Sequence, residues 1–346
     1  MTGIRRVSQL GTTGESTYVD GSIQAADIAA NVITQDKLST DIPLSGMRNS
    51  LINGGFDVWQ RGTGSIAPAN GVITNTDRWV HTGNTTTFTQ QTDVPAGFRY
   101  SLGVSGSDPS FAQKIEAANS TRLASQTVTF SIWAKSISGS TSLFVNFYYP
   151  SAVDNFASLT TISSTTIAAT VSSSWTRYTL TVALPANVTN GLQVLVGRSS
   201  GASNTYFTGV QLEVGPQATP FEQRPIGVEL ALCQRYFYSS YSNGVAINGA
   251  DVISGHHQAI GVDTTSAVMS NGTFAVPMRA TPTFNIYQPR GSVGSGSIRN
   301  HSNGGGDITG MSIIGVGNRG LGYIGKSGAI ALGSFYGMEM TADAEL

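Results

Sequence analysis

Two stretches near the C-terminal end match nucleotide-binding motifs by string. Gly320 to Ser327 reads G-x-x-x-x-G-K-S, the spacing at which backbone N–H groups wrap phosphates at a helix N-terminus while lysine neutralises charge. Gly315 to Gly320 reads G-x-G-x-x-G, with Glu339 about 20 residues further on, where a ribose partner would sit in a dinucleotide site. Both chemistries need a helix after the loop. Here Gly322, Gly325, Gly328, Gly333 and Gly337 interrupt every following window. In a chain with 41 glycines such matches arise by chance.

Metal and acid–base constellations are equally thin. His256 and His257 are adjacent, so on a strand they point to opposite faces. His81 and His301 stand far from them in sequence. The single Cys233 excludes an intrachain disulfide and every multi-cysteine metal motif. Hydrolysis of a polysaccharide needs a carboxylate pair across a groove. Asp77, Glu213 and Glu222 are candidates, but no spacing singles out a pair; Glu213 reads as a group on a solvated strand face and Glu222 as a surface charge. No catalytic residue is assigned, and the chain reads as a non-enzyme.

Composition points the same way. Only 11% of the residues are charged, against roughly 25% in ordinary soluble proteins. A net charge of -1 gives no general attraction to DNA or acidic membranes. No run approaches the ~20 apolar residues of a membrane helix, and the N-terminal ten residues lack the apolar stretch of a signal peptide. The expectation is a protein made in a cytoplasm, with neither nucleic acid nor membrane as partner.

The elements that would position any site are strands. Period-2 alternation dominates residues 46–225. In TVTFSIWA, Val128, Phe130, Ile132 and Ala134 face one way. In LFVNFYY, Leu143, Val145, Phe147 and Tyr149 oppose Phe144, Asn146 and Tyr148. In WTRYTLTVAL, Tyr178, Leu180, Val182 and Leu184 oppose Trp175, Arg177, Thr179 and Thr181. In YFTGVQLEV, Val210, Leu212 and Val214 turn inward and Gln211 and Glu213 outward. Strands joined by Ser/Thr/Gly-rich turns, with no helical run between them, predict an antiparallel jelly-roll sandwich.

The polar faces of these strands carry Trp133, Phe144, Tyr148 and Trp175 interleaved with Asn146, Arg177 and Gln193. Sugars stack their C–H faces on aromatic rings while amides and guanidinium fix the hydroxyls, so Trp133, Phe144, Asn146, Tyr148, Trp175 and Arg177 form a candidate glycan site. Two other readings stay open: packing against a neighbouring chain, and burial under a loop after a β-bulge shifts the alternation. Trp59 and Trp79 read as core anchors.

After the last strand, Gly215-Pro216 and Thr219-Pro220 stop the ladder. Pro225 suits the opening of a helix, along which Ile226, Leu230, Cys233 and Phe237 recur on one face. This predicts a rigid joint with Cys233 as an apolar filler. Beyond it, residues 226–346 alternate short apolar runs with glycine turns, as a second, smaller β domain would.

Residues 21–40 hold two copies of one pattern, Ile23-Asp27-Ile28 and Ile33-Lys37-Leu38. Each copy is too small to bury a core alone. Identical copies from other chains are the simplest partner, with Ile23, Ile28, Ile33 and Leu38 along a shared axis; a mobile leader is the alternative. Residues 1–45 are therefore expected to form an attachment or trimerisation arm.

SLINGGFDVWQRGT, TDRWV, WTRYTLTVALP, GVQLEVGPQATPFEQRP and ELALCQRYF together resemble the recurring middle module of bacteriophage tail-fibre and related virion-appendage proteins, which is similar to carbohydrate-binding jelly rolls. FAVPMRATPTF, the terminal ADAEL and the decamers also resemble parts of such proteins. The resemblance implies a homotrimeric virion component, assembled in the host cytoplasm and joined to other virion proteins through its arm. No cofactor is expected; the one exception that the likeness to carbohydrate-binding jelly rolls leaves open is a structural calcium ion held by backbone carbonyls and a carboxylate such as Asp57. The leading expectation is a tail fibre that binds bacterial surface polysaccharide. The alternatives are a head fibre, decoration or adaptor protein with a structural role, and a polysaccharide-depolymerising tail spike.

Overall fold

The computed structural model describes residues 47–67, 71, 75–82, 84–138, 141–199, 204–247, 257–269, 272–289, 296–302, 306–326 and 329–346. The arm residues Ile23, Ile28, Ile33 and Leu38 lie outside the described residues, as do His256 and Ser327. Residues 47–346 cluster as one compact unit.

The alternating segments become ten strands: β1 (Val80–His81), β2 (Asn84–Gln91), β3 (Ser101–Asp108), β4 (Ser110–Ile115), β5 (Thr127–Ser136), β6 (Leu143–Pro150), β7 (Leu159–Ala168), β8 (Thr176–Ala183), β9 (Leu192–Arg198) and β10 (Thr205–Val214). They form two antiparallel sheets, β1-β4-β9-β6-β7 and β2-β3-β10-β5-β8. The sheets pack face to face as a jelly-roll sandwich. Phe130 of β5 meets Phe147 of β6, with ring centroids 6.2 Å apart, and Phe111 of β4 meets Phe207 of β10 at 5.3 Å. Val128, Phe130, Ile132 and Ala134 are fully buried, as are Leu143, Val145 and Phe147.

One irregularity changes the phase of β10. Its pairing with β5 shifts between Thr208 and Gln211, and Gly209 takes a φ of +62°. Phe207 and Val210 thus both reach the core although three residues apart. Contrary to the alternation, Val214 at the strand end is exposed and Gln211 and Glu213 are buried. The cause is the chain that follows: residues 215–224 fold back over this sheet's outer face. Thr219 donates to Glu213 through its N–H, at 2.8 Å, and its hydroxyl, at 2.5 Å. Glu222 is no free surface charge either. Its carboxylate accepts the N–H groups of Met47, Arg48 and Asn49 and pairs with Arg224 at 3.2 Å.

The irregular segment before β1 runs through the interior and depends on buried polar side chains. Asn49 donates to the Val210 carbonyl and accepts the N–H groups of Leu51 and Leu212. Asn53 donates to the carbonyls of Val58 and Asp77 and accepts the Val58 N–H. Its own N–H goes to Glu229, and its carbonyl accepts the Trp79 indole at 3.0 Å. Trp59 and Trp79 are fully buried anchors.

The joint is a helix, Ile226–Gln234, with Pro225 at its N-cap. The expected apolar stripe is only partly present. Cys233 is buried, but Ile226 is exposed, and Phe237 belongs to the next strand. The buried helix position that the stripe omitted is Glu229, paired with Arg224 at 3.2 Å.

The second β region is one nine-stranded antiparallel sheet centred on the strand Phe335–Asp343. The first half of this strand pairs with His257–Gly261 and Ile298–Asn300, the second half with Phe237–Ser239 and Thr283–Tyr287. Buried on both sides, it carries Tyr336, Met338 and Met340 into a second core with Ala259, Ile286 and Ile298. The nucleotide-like glycine stretch is a hairpin: Ser312–Gly317 pairs with Gly320–Gly325.

The residues after this central strand clasp the sandwich. Arg61 stacks on Phe237 and Arg78 on Tyr236, each guanidinium 3.5 Å from the ring centroid. Arg61 reaches Asp343 at 3.3 Å, Arg78 pairs with Glu345, and Lys114 donates to the Leu346 carbonyl at 2.6 Å. Arg279 donates to the carbonyls of Ala344 and Glu345. Burial pulls the Arg78 guanidinium below its usual range and pushes the Asp77 carboxyl up.

Glu339, in the middle of the central strand, is fully buried. Burial raises its pKa from 4.5 to about 7, against the opposing hydrogen bond from Ser240. A carboxyl with a raised folded pKa contributes stability below its unfolded value that is lost as pH rises through the folded value. Glu339→Gln removes this titration. Urea midpoints of the two proteins, measured from pH 4 to pH 8, are expected to diverge between about pH 4.5 and 7, the native protein losing stability relative to the variant.

Candidate functional site

The structure divides the predicted glycan residues between two surfaces. Trp133, Trp175 and Arg177 lie on the outer face of the sheet containing β5 and β8, where Trp133 and Arg177 are direct cross-strand partners. Phe144, Asn146 and Tyr148 lie on β6, on the outer face of the opposite sheet.

The first set is engaged in holding loops down. The Trp175 indole donates to Asp93 at 2.9 Å, and Lys135 pairs with the same carboxylate at 2.7 Å. These two bonds draw the Asp93 carboxyl below its ordinary pKa. Arg177 donates to the Ser131 hydroxyl at 2.8 Å and to the Thr219 carbonyl. The Trp133 ring lies close over Gly209, where a Cβ would stand 2.8 Å from its Cδ1; Phe98, packed on Phe221, sits against the same glycine.

The second set forms a platform. Pairing places Phe144 opposite Gly197 and Thr166, Asn146 opposite Leu195 and Ser164, and Tyr148 opposite Gln193 and Thr161. One strand further, Gln193 pairs with Lys114. These positions share one face because directly paired residues project to the same side of a sheet. Phe144 lies over Gly197: a Cβ there would stand 2.3 Å from the ring. The absent side chain leaves room for the ring against the sheet. Asn146 donates to the Tyr148 hydroxyl at 3.0 Å, while its Oδ1 is buried without a hydrogen-bond partner. Whichever way the amide is turned, one polar atom of Asn146 stays unpaired. The half-buried Asn146 amide thus stands between the Phe144 and Tyr148 positions on one face of β6, tied to the Tyr148 hydroxyl.

Electrostatically the platform is nearly neutral. None of its paired positions is a carboxylate. Lys114 is drawn towards the clasp, and burial lowers its pKa, with Arg78 and Arg279 adding to the effect. Asp77, Glu213 and Glu222, the acidic candidates, are all committed to structural bonds elsewhere.

Asp57 lines a separate recess of about 150 Å³ with Arg99, Arg224 and Glu229. Burial pushes its pKa up to about 6, the Glu229 carboxylate adding to the shift. Two guanidinium groups in the same recess do not suit a calcium ion. Among the described residues no three His, Cys, Asp or Glu side chains converge as metal ligands.

The contact between Phe144 and Gly197 sets a test of the platform's construction. Gly197→Ala should force the ring off the sheet and cost about 1–3 kcal/mol, read from the denaturant midpoint. Adding Phe144→Leu should recover most of the loss, since a smaller side chain leaves room for the methyl group.

No protein-family model matches the chain, and no curated protein matches it. Among solved structures, it is similar to the enzymatically active domain of tailspike protein 4 of bacteriophage CBA120, at 18% identity and TM-score 0.34, over 49% of this chain and 22% of that one. The chain thus spans about a fifth of that protein's length. A putative sugar binding protein from Bacteroides thetaiotaomicron is similar at 12% identity and TM-score 0.36, over 48% of this chain and 100% of the other. A C-terminal family 22 carbohydrate binding module of Clostridium thermocellum is similar at 17% identity and TM-score 0.32, over 41% and 89%.

Proposed function

We propose that the protein is a virion appendage, a tail fibre, that attaches to bacterial surface polysaccharide through the outer face of the sheet carrying β6. The carrying observation is the row Phe144, Asn146 and Tyr148 on one face of β6, two half-buried rings flanking a half-buried amide. Rings supply stacking faces for the C–H side of a pyranose, the amide supplies a hydroxyl partner, and the absence of carboxylates favours neutral sugars. It also favours binding over hydrolysis, which needs two carboxyl groups across the bond.

Several weak sites act together when copies are linked, so each contact need only be modest. The proposed state is a homotrimer, joined through residues 1–45 to other virion proteins. Light scattering of the full chain should then give three times the 36.1 kDa chain mass.

Binding of the labelled full-length protein to a bacterial panel tests the reading. Saturable binding to a few strains, lost when surface polysaccharide is stripped, is expected. Tyr148→Ala and Asn146→Ala should each weaken it at least about tenfold, a loss of one stacking or hydrogen-bonding contact, with the thermal midpoint nearly unchanged. Trp175→Ala should lower the midpoint and leave affinity in place. The reverse pattern would move the site to the opposite sheet, and release of reducing sugar would establish a depolymerising spike.

A further inference from the structure

The corner that follows β10 contains a carboxylate and a guanidinium that bond to nothing. Asp57, in the irregular segment before β1, and Arg99, just before β3, line the same recess of about 150 Å³. Neither side chain has a hydrogen bond or an ion pair among the described residues, and they form none with each other. Burial and then the Glu229 carboxylate raise the Asp57 pKa to about 6, while Arg99 opposes them. The guanidinium therefore faces the carboxylate across a gap, near enough to act on its charge and too far to bond it.

The other charges of the recess are committed. Glu222 accepts the N–H groups of Met47, Arg48 and Asn49 and pairs with Arg224. Glu229 takes the Asn53 N–H and pairs with Arg224 as well. The walls are apolar and braced. The half-buried Phe221 ring packs on Phe98 with centroids 5.1 Å apart, and Ile226 at the helix start is 53% exposed. Gln223 donates to the Gly97 carbonyl at 2.9 Å, which holds the loop that carries Arg99. Gly55 keeps the floor open: a Cβ there would stand 2.8 Å from an Asp57 carboxylate oxygen and 3.7 Å from the Phe221 ring.

An ionised carboxylate only accepts hydrogen bonds and a guanidinium only donates them. An anion in the recess would meet Asp57 and Glu229; a cation would meet Arg99 and Arg224. Two adjacent hydroxyl groups satisfy both walls without a charge, one donating to Asp57 while its neighbour accepts from Arg99. The ring carbons beside them then rest on Phe221 and Ile226. The volume lies below the roughly 300 Å³ at which small-molecule sites usually begin, so the recess takes the edge of one ring, as a chain end or branch of a polysaccharide would present it.

We propose that the recess between Asp57 and Arg99 is a sugar subsite that takes the vicinal diol of one neutral pyranose. It is separate from the β6 platform and goes beyond it. No platform residue lines the recess, so either site can fail alone.

The test is saturation-transfer NMR titration of the full chain with the methyl glycosides of glucose, galactose and mannose, which between them offer cis and trans diols. Glycine and inorganic phosphate are titrated beside them as zwitterionic and anionic probes. Each titration is made on the native protein and on Tyr148→Ala, where the platform no longer contributes. At least one glycoside should bind both proteins saturably. Adding Asp57→Ala or Arg99→Ala to Tyr148→Ala should weaken that binding at least about tenfold, the loss of one charge-assisted contact. Arg99 is exposed on its loop, so its truncation leaves the fold intact and keeps the test decisive should Asp57→Ala fold poorly. Gly55→Ala should abolish binding by filling the floor. Binding that survives both truncations, binding lost with Tyr148→Ala alone, no binding of any glycoside, or tighter binding of glycine or phosphate overturns the proposal.

Discussion

Much of the described structure depends on satisfying the backbone of residues 49–62 inside the protein. This stretch belongs to no strand and is mostly buried. A buried N–H or C=O left unpaired costs about 1–3 kcal/mol. Asn49, Asn53, Glu222 and Glu229 take up those groups one by one. Because Glu222 belongs to the returning chain and Glu229 to the helix, the same bonds fix the corner and the joint. The sandwich, the helix and the C-terminal sheet are thereby connected through a polar network, with Trp59 and Trp79 as its apolar lining.

That network explains the division of labour between the two outer faces. One sheet has its outer face occupied by residues 215–224 and the 93–98 loop, and its aromatics and Arg177 are engaged in holding them. Over β6 no such return segment is seen among the described residues, and Phe144, Asn146 and Tyr148 are half-buried there. The two faces differ in what the chain does after its strands, more than in the composition of the strands themselves.

How much of this was legible in the sequence follows from the range of each interaction. The alternation of β5 and β6 is a local property, and it assigned their core faces correctly. In β10 the alternation placed Val210 and Leu212 inward, as the structure does, but it could not show that Phe207 also reaches the core, since a bulge depends on which residue the partner strand offers. Glu213 looked solvated because strand alternation cannot know that the chain will fold back over it. Helix periodicity likewise favoured Ile226 over Glu229, whose burial is decided by Asn53 and Arg224 far away in sequence. The candidate sugar residues were named from the alternation of single strands, but their separation onto two sheets needed the topology.

The placement of Phe335–Asp343 also bears on how the protein is made. The ribosome delivers this strand after all four of the strands it pairs with, and domains begin to fold as they emerge. Until then Phe237–Ser239, His257–Gly261, Thr283–Tyr287 and Ile298–Asn300 lack the central strand that unites them, and their edges remain available to other nascent chains. Neighbouring chains on one polysome are copies of the same sequence, each waiting for an identical strand. Such an order of synthesis invites strand exchange between copies, so a crowded message would load the assembly pathway with partners before any single chain could close on itself.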